Sequence, residues 1–238
     1  MNKLNFFDFQ IISYINQFSQ HSCMFDKIIG LLSGNHLLKG GVLVTILWWA
    51  WFKREDRHSL DREHIISTLF SCVVAIALAR ALALTLPFRL RPLHEEGLHF
   101  LIPYGANLKS LDGWSSFPSD HAVLFFTLST GLLFIQRKAG IFALFYVILF
   151  VSFPRVYLGL HYPTDIIVGA IIGITVALIV NIYLVKNKNI QSIVNLSYSK
   201  PTLFYPLFFL FTYQVADMFD PSRALVHGVF KFIQGIIA

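Results

Sequence analysis

Long apolar runs separated by short charged segments dominate the pattern of this chain. Six of these runs approach the length of about 20 residues that a membrane-spanning helix needs. They cover residues 36–53, 64–87, 120–136, 140–158, 163–184 and 202–218. The first run ends in an aromatic cluster, Trp48 to Phe52, of the kind found at membrane–water interfaces. We therefore predict an all-α, polytopic membrane bundle of about six transmembrane helices.

The segments outside these runs are more polar. In residues 1–35, apolar residues alternate with polar ones at helical spacing, and Asp8 interrupts the first apolar stretch. We expect two short amphipathic helices in the membrane interface there, without a cleavable signal peptide. The predicted membrane domain then covers residues 36–219, and a polar loop separates its last two spans. Residues 220–238 are again amphipathic, and we expect this tail to lie on the membrane surface.

The composition agrees with a membrane protein. Of the 238 residues, 55% are hydrophobic and only 13% are charged. The net charge of +6 does not come from a basic run interleaved with aromatic residues, so we predict no nucleic-acid partner. The two cysteines, Cys23 and Cys72, offer neither a disulfide framework nor metal-ligand spacing.

Positive charges differ between the two sets of loops, which predicts an orientation. One set carries nine: Lys53, Arg54, Arg57, Arg62, Arg137, Lys138, Lys186, Lys188 and Lys200. The opposite loops carry four: Arg89, Arg91, Lys109 and Arg155. The positive-inside rule assigns the richer set to the cytoplasm. The opposite loops, which hold the conspicuous polar clusters, then face the periplasm or the outside.

Three polar segments are predicted to meet on that non-cytoplasmic side, and their cations suit a phosphate group. Charges at the rim of the lipid are costly, which marks such positions as functional. The guanidinium groups of Arg89, Arg91 and Arg155 carry permanent charge and planar donors that fit phosphate oxygens. Ser119 stands at the expected N-cap of the third span, where free backbone N–H groups also bind phosphate.

Two histidines and an aspartate complete the set. Asp165 follows His161 by one helical turn, so its carboxylate can accept a hydrogen bond from one ring nitrogen and leave the other free to attack. His121 can then protonate the leaving oxygen. The same three side chains could form a metal-ligand set, but the neighbouring arginines would repel a cation. We predict phosphoryl transfer by a histidine nucleophile, with no metal ion and no cofactor.

At this point the three segments resemble the type 2 phosphatidic acid phosphatase superfamily, which shares its site with vanadium-dependent haloperoxidases. That family's pattern is Lys-x6-Arg-Pro, Pro-Ser-Gly-His and Ser-Arg-x5-His-x3-Asp. The matching positions here are Arg91-Pro92, Pro118-Ser119-x-His121 and Arg155-x5-His161-x3-Asp165. The resemblance implies that His161 becomes phosphorylated, that Asp165 orients it and that His121 is the general acid. It also implies three phosphate ligands: Arg91, Arg155 and Ser119.

The chain departs from this pattern at three positions. The family lysine falls on Leu84, and either Arg80 or Arg89 could replace it; we favour Arg89, because Arg80 is expected to lie deeper in the membrane. The family glycine is Asp120, whose charge weakens phosphate binding unless it points at an arginine. The family serine is Pro154, which supplies no hydroxyl group. Activity is still expected, because both histidines and the aspartate are present.

The run Phe117-Pro118-Ser119-Asp120-His121 and the N-terminal stretch are most similar to bacterial undecaprenyl-diphosphate phosphatases. This resemblance implies hydrolysis of a polyprenyl diphosphate, or a related lipid phosphate within the bilayer, through a phosphohistidine. The site would face the periplasm or the outside of a bacterial inner or plasma membrane. Two alternatives remain open: a lipid phosphotransferase that uses the same site, and a non-catalytic lipid-binding or transport protein on this scaffold.

Overall fold

The computed structural model describes residues 5–53, 58–107, 111–222 and 225. Ten α-helices are present in these ranges: α1 Phe6–Asn16, α2 Cys23–Gly34, α3 Val42–Phe52, α4 His58–Thr85, α5 Asp120–Ile135, α6 Arg137–Tyr146, α7 Phe153–Tyr157, α8 Pro163–Tyr183, α9 Lys188–Ser199 and α10 Pro201–Ala216. The described residues contain no strand, so the predicted all-α class is confirmed. Most of the predicted tail and the loop cations Arg54, Arg57 and Lys109 lie outside these ranges.

Three helical segments of the described chain are long and apolar enough to cross a membrane: Ser59–Thr85, Arg137–Tyr157 and Pro163–Tyr183. The second contains α6, α7 and the π-helical turns Val147–Ser152 that join them. Helix α2 and the segment Leu37–Phe52 pass the same test together, with a bend of 69° between them. Helices α5 and α10 have 16 residues each, which is shorter than a typical span. The membrane bundle is confirmed, and the number six stays a prediction.

Helix α5 lies at the centre of the bundle, where every residue from 122 to 132 is buried. Glycines on α8 allow a close approach to it. A Cβ atom on Gly169 would lie 2.9 Å from the Ser119 carbonyl oxygen, and one on Gly173 would lie 2.4 Å from the Val123 carbonyl oxygen. Small residues at this spacing therefore pack two helices inside one bundle. The contact holds the N-termini of α5 and α8 at the same end.

The predicted polar loop between the last two spans is wrong, because α9 occupies it. Ile190, Val194 and Ser197 recur on one face of this helix and are buried, and the helix packs against α4 and α10. A single buried stripe is enough to fold a short helix against the bundle, even when its other faces are polar. Arg62 on α4 reaches the same region and donates to the Ser197 hydroxyl group at 3.4 Å.

The two N-terminal helices predicted from the pattern are present, and they pack on the bundle at the end where the polar segments lie. Helix α1 contacts α7 and α8, and α2 contacts α7. Each helix carries one fully buried carboxylate, Asp8 or Asp26. The Asp26 carboxylate accepts from the Tyr157 hydroxyl group at 2.5 Å and from the Tyr104 backbone N–H at 2.8 Å. Buried acidic anchors of this kind were not predicted from the amphipathic pattern.

Candidate active site

A cavity of about 450 Å³ lies where the three polar segments meet. Its polar lining contains Arg80, Arg91, Ser115, Asp120, His121, His161 and Asp220. Helices α5 and α8 begin beside it, because their close packing fixes both N-termini at this end. The cavity therefore receives residues from all three segments that the sequence predicted to converge.

The ring of His161 is held in one tautomer by a backbone carbonyl group. Its Nδ1 lies 2.8 Å from the Ser116 carbonyl oxygen, which can only accept, so Nδ1 carries the hydrogen. The Ser116 backbone is itself fixed, because its N–H donates to the Arg89 carbonyl oxygen at 2.9 Å. The remaining ring nitrogen, Nε2, lies 3.5 Å from Nη1 of Arg91. This tautomer leaves the Nε2 lone pair available for attack.

The position of Asp165 corrects the predicted source of that tautomer. Its Oδ2 is 3.7 Å from Nδ1 of His161, within ion-pair range and longer than a hydrogen bond. The same oxygen accepts from the Tyr162 backbone N–H at 2.8 Å, in the first turn of α8. Capping of the helix therefore fixes the carboxylate beside the ring. Asp165 acts on His161 through its charge, while Ser116 takes the hydrogen bond.

The electrostatic environment of the cavity favours a neutral His161 ring and a charged Arg91. Burial lowers the pKa of His161 below its ordinary value, and the Asp165 carboxylate opposes this shift in part. Burial lowers the pKa of Arg91 to about 10, which leaves its guanidinium group charged at neutral pH. A neutral imidazole beside a permanent cation suits attack on an anionic phosphate.

The two arginines predicted as phosphate ligands, Arg91 and Arg155, are almost completely buried. Nη1 of Arg91 donates to the Leu160 carbonyl oxygen at 2.5 Å. Nη2 of Arg155 donates to the Ser33 carbonyl oxygen at 3.2 Å and also contacts Nε2 of His121. Arg91 lines the first cavity, and Arg155 lines a second cavity that shares His121 with it. Their roles as phosphate ligands stay predictions.

The residues at the start of α5 lie as the sequence indicated. Ser119 is the N-cap, and its hydroxyl group accepts from the Ala122 N–H at 3.5 Å. The Asp120 carboxylate pairs with Arg80, which meets the condition set for an acid at this position. Pro154 stands in the first turn of α7, directly after the π-helical turns Val147–Ser152, and supplies no hydroxyl group to the site.

Arg89 forms a bridge between two fully buried carboxylates. Its Nη2 donates to Oδ2 of Asp8 at 2.6 Å, and its Nη1 donates to Oδ1 of Asp165 at 2.5 Å. The same Nη1 lies 2.9 Å from the Thr164 hydroxyl oxygen, and the guanidinium group lies 4.1 Å from the centre of the Tyr162 ring. Asp8 also accepts from the Thr164 N–H at 3.0 Å. Helix α1 is thereby connected through Arg89 to Asp165, beside His161.

These contacts favour Arg80 over Arg89 as the substitute for the family lysine, and the role of either residue stays a prediction. The two carboxylates occupy the Arg89 guanidinium group, whereas Arg80 lines the 450 Å³ cavity. Arg80 lies one turn before Leu84 and is 5.1 Å from the centre of the Trp114 ring. Leu84 itself is 86% exposed and faces outward. The long arginine side chain therefore reaches the cavity from a position one turn earlier.

One further group in the described residues could hold a metal ion. Ligand atoms of His36, Asp217 and Asp220 lie within 4.8 Å of one another, and His36 is paired with Asp217. Asp220 also lines both cavities. No sequence pattern indicated this cluster, because His36 lies about 180 residues before the two aspartates and meets them only through the packing of α10 beside Leu37–Gly41.

A sequence model described as the PAP2 superfamily matches residues 65–189 of this chain. The match covers more than half of the chain and contains all three polar segments. The chain belongs to the PAP2 superfamily. The family resemblance predicted from the motifs is therefore confirmed, and the chain is a lipid phosphate hydrolase of the PAP2 type.

Two relatives of the chain are named as phosphatases. "Undecaprenyl-diphosphatase BcrC" of Bacillus subtilis is 24% identical over 169 residues, which cover 71% of this chain and 80% of that protein. "Lipid A 4'-phosphatase" of Bacteroides thetaiotaomicron is 34% identical over 125 residues, which cover 46% of this chain and 55% of that protein. The crystal structure of Aquifex aeolicus LpxE matches the fold with a TM-score of 0.50 and 23% identity, covering 73% of this chain and 94% of that one.

Proposed function

We propose that this PAP2 protein hydrolyses a polyprenyl diphosphate, of the undecaprenyl class, through a phosphohistidine on His161. The name of the Bacillus subtilis relative supports the substrate class. The observation that carries the mechanism is the tautomer of His161. Its Nδ1 hydrogen is held by the Ser116 carbonyl oxygen at 2.8 Å, so Nε2 is free to attack beside Arg91.

In the first step, the terminal phosphate lies in the 450 Å³ cavity with its oxygens against Arg80 and Arg91. Nε2 of His161 attacks phosphorus, and the bond between phosphorus and the bridging oxygen breaks. The electron pair of that bond stays with the bridging oxygen, which takes a proton from His121 and leaves as a lipid monophosphate. The Asp165 carboxylate, 3.7 Å from Nδ1, stabilises the positive charge that develops on the ring.

In the second step, water attacks the phosphohistidine. His121 accepts a proton from that water, the P–N bond breaks towards His161, and inorganic phosphate leaves. Before substrate binds, Nη2 of Arg155 donates to Nε2 of His121, so this nitrogen is an acceptor. The incoming anion favours protonation of His121, because a nearby negative charge stabilises the imidazolium form.

The distribution of cations supports an extracytoplasmic site. The cavity lies at the ends of helices opposite to the Lys- and Arg-rich connections, which the positive-inside rule assigns to the cytoplasm. The outward-facing Leu84, next to the cavity-lining Ala83 on α4, supports a lipid chain that stays in the bilayer beside this helix. The head group alone would then enter the cavity.

The test is a phosphate-release screen on purified protein in detergent, with EDTA present throughout. The lipids are polyprenyl diphosphate, phosphatidic acid, phosphatidylglycerol phosphate, diacylglycerol diphosphate and lipid A. We expect the polyprenyl diphosphate to give the highest kcat/KM and His161→Ala to abolish release, whereas the exposed-loop control His99→Ala retains it. Faster release from lipid A would overturn the substrate class. Phosphate transfer to an added acceptor alcohol in place of water would make the protein a phosphotransferase.

Trapping the intermediate tests the nucleophile directly. Acid quenching destroys phosphohistidine but preserves phosphoserine, so a base-stable, acid-labile phosphoprotein is expected during turnover of labelled lipid. The label should be absent from His161→Ala and present in His99→Ala. Phosphate release without any labelled protein in the wild type would exclude the covalent route. Lipid binding without release would instead favour the non-catalytic alternative.

A further inference from the structure

A second cavity, of about 340 Å³, adjoins the first and has no role in the mechanism above. The two cavities share Leu111, His121 and Asp220 in their linings. The second one is also lined by two cations, Lys39 and Arg155. His121, which donates the proton in the proposed mechanism, therefore stands at the boundary between the two spaces.

Lys39 is the unusual residue of this cavity. Only 3% of its surface is exposed. Within the described residues, its ammonium group forms no hydrogen bond or ion pair, and the carboxylates of Asp220 and Asp217 act on its charge from a longer distance. A buried cation without such a partner is costly. Because its position lines a cavity, an anion that enters this space would supply the missing partner.

The backbone is built to bring Lys39 to this place. It lies in the π-helical turn Leu37–Gly41, directly after the 69° bend that follows α2. Such turns are rare and occur frequently at functional sites. The turn is fixed by two contacts: the Tyr146 hydroxyl group donates to the Leu38 carbonyl oxygen at 2.5 Å, and a Cβ atom on Gly40 would lie only 2.1 Å from the Ala216 carbonyl oxygen. A side chain at position 40 would clash with the Ala216 backbone, so the turn and α10 could not keep their present distance.

Arg155 contributes the second cation. Its Nη2 is used by Ser33 and His121, but its Nε is buried and has no hydrogen-bond acceptor within the described residues. The lining of the cavity thus has donors on two cations, with Asp220 as its acidic residue. Several donors around a small space suit the oxygens of a phosphate group.

We propose that Lys39 forms a second phosphate subsite on the Arg155 side of His121, which holds the inner phosphate of a lipid diphosphate while the terminal phosphate lies at His161. This inference rests on the proposed function for the identity of the lipid. It gives His121 a position beside the bridging oxygen, where a proton is needed when the bond to the terminal phosphate breaks. The subsite would make a diphosphate head group a better ligand than a monophosphate.

The test compares two lipids that differ by one phosphate, diacylglycerol diphosphate and phosphatidic acid, on wild type and Lys39→Met. Loss of one charge-assisted hydrogen bond should lower kcat/KM for the diphosphate by about tenfold or more, mainly through KM. The kcat/KM for phosphatidic acid should change less than about twofold, because this lipid has no second phosphate for Lys39 to contact. Lys39→Arg should recover most of the loss, and the matched control Lys27→Met, an exposed lysine of α2, should behave as wild type on both lipids.

Direct binding of inorganic anions keeps the proposal testable if neither lipid is hydrolysed. Calorimetric titration should show that wild type binds pyrophosphate more tightly than phosphate, and that Lys39→Met loses this difference. Equal weakening of phosphate and pyrophosphate would show that the subsite takes free phosphate, which would overturn the head-group assignment. An equal loss on both lipids, or no loss on either, would also overturn it. Wild-type protein that discriminates pyrophosphate but hydrolyses no lipid would refute the proposed function and leave the subsite intact.

Discussion

The Arg89 bridge allows a sharp distinction between two roles for one arginine. Arg89→Lys keeps the positive charge but replaces a planar fork by a single ammonium group. Lysine cannot donate at once to Asp8 and Asp165, which Arg89 reaches through different nitrogens at 2.6 and 2.5 Å. Loss of one bond to a buried carboxylate should lower the free energy of unfolding by about 2 kcal/mol. It should also release the Asp165 carboxylate from its fixed position.

The effect on turnover follows from the distance between Asp165 and the nucleophile. At 3.7 Å from Nδ1 of His161, the attraction to a full charge on the ring is about 4.5 kcal/mol with an effective dielectric constant near 20. A displacement of about 1 Å would reduce it by about 1 kcal/mol, which corresponds to about a fivefold fall in kcat. KM should change little, because Arg89 does not line the 450 Å³ cavity.

The assay is steady-state phosphate release in detergent micelles, with the lipid varied as a mole fraction. Asp8→Asn removes charge from the other end of the bridge and should also lower kcat rather than raise KM. Arg91→Lys is the matched control, because Arg91 lines the cavity and its change should raise KM. A tenfold rise in KM at constant kcat for Arg89→Lys would show that Arg89 binds phosphate. Unchanged kinetics in both bridge variants would show that the bridge serves folding alone.

Two further outcomes follow from the same geometry. Burial lowers the pKa of His161, and attack needs the neutral ring, so kcat/KM should fall with acid only below about pH 6.5, the ordinary imidazole value. The measurement is a profile of kcat/KM from about pH 4.5 to 8. An acid midpoint above about pH 6.5 would contradict the lowered pKa. Gly173→Ala should lower the free energy of unfolding by about 1–3 kcal/mol, and with it the melting temperature, because its Cβ would lie 2.4 Å from the Val123 carbonyl oxygen. Gly30→Ala, which meets no atom within 4 Å, is the control for helix propensity, and equal melting temperatures for both variants would contradict the close packing.

The part of the site that could be predicted from sequence is the part encoded in short segments. The spacing of one helical turn places Asp165 beside His161, and the N-cap serine places His121 at the start of a helix. Local geometry alone was enough for both predictions. The ends of successive spans alternate between the two faces of a membrane, which brought these segments together. The hydrogen-bond partner of His161 could not be predicted, because the Ser116 group that accepts its hydrogen is a backbone carbonyl. A carbonyl is present at every residue and leaves no mark in a sequence.

Long-range partners account for other contacts that the sequence did not indicate. Arg89 was expected to face phosphate, and no periodicity could show that Asp8, 81 residues earlier, would take its guanidinium group. A signal was nevertheless present: Asp8 stands among Phe6, Phe7 and Phe9, where an unpaired charge would be costly. The residue therefore called for a cationic partner, although the sequence could not say which one.

Asp8 and Lys39 together change the view of the N-terminal segment. Both lie before residue 65, where the match to the PAP2 superfamily begins, yet Asp8 holds Arg89 against Asp165 and Lys39 lines the cavity next to His121. The predicted boundary at residue 35 therefore separates groups that are in contact, because α1 packs on α8. The three polar segments that resemble the family's pattern all lie inside the matched range. Residues outside it that reach the cavities, such as Lys39, are a physical means by which one catalytic core could select different lipid head groups.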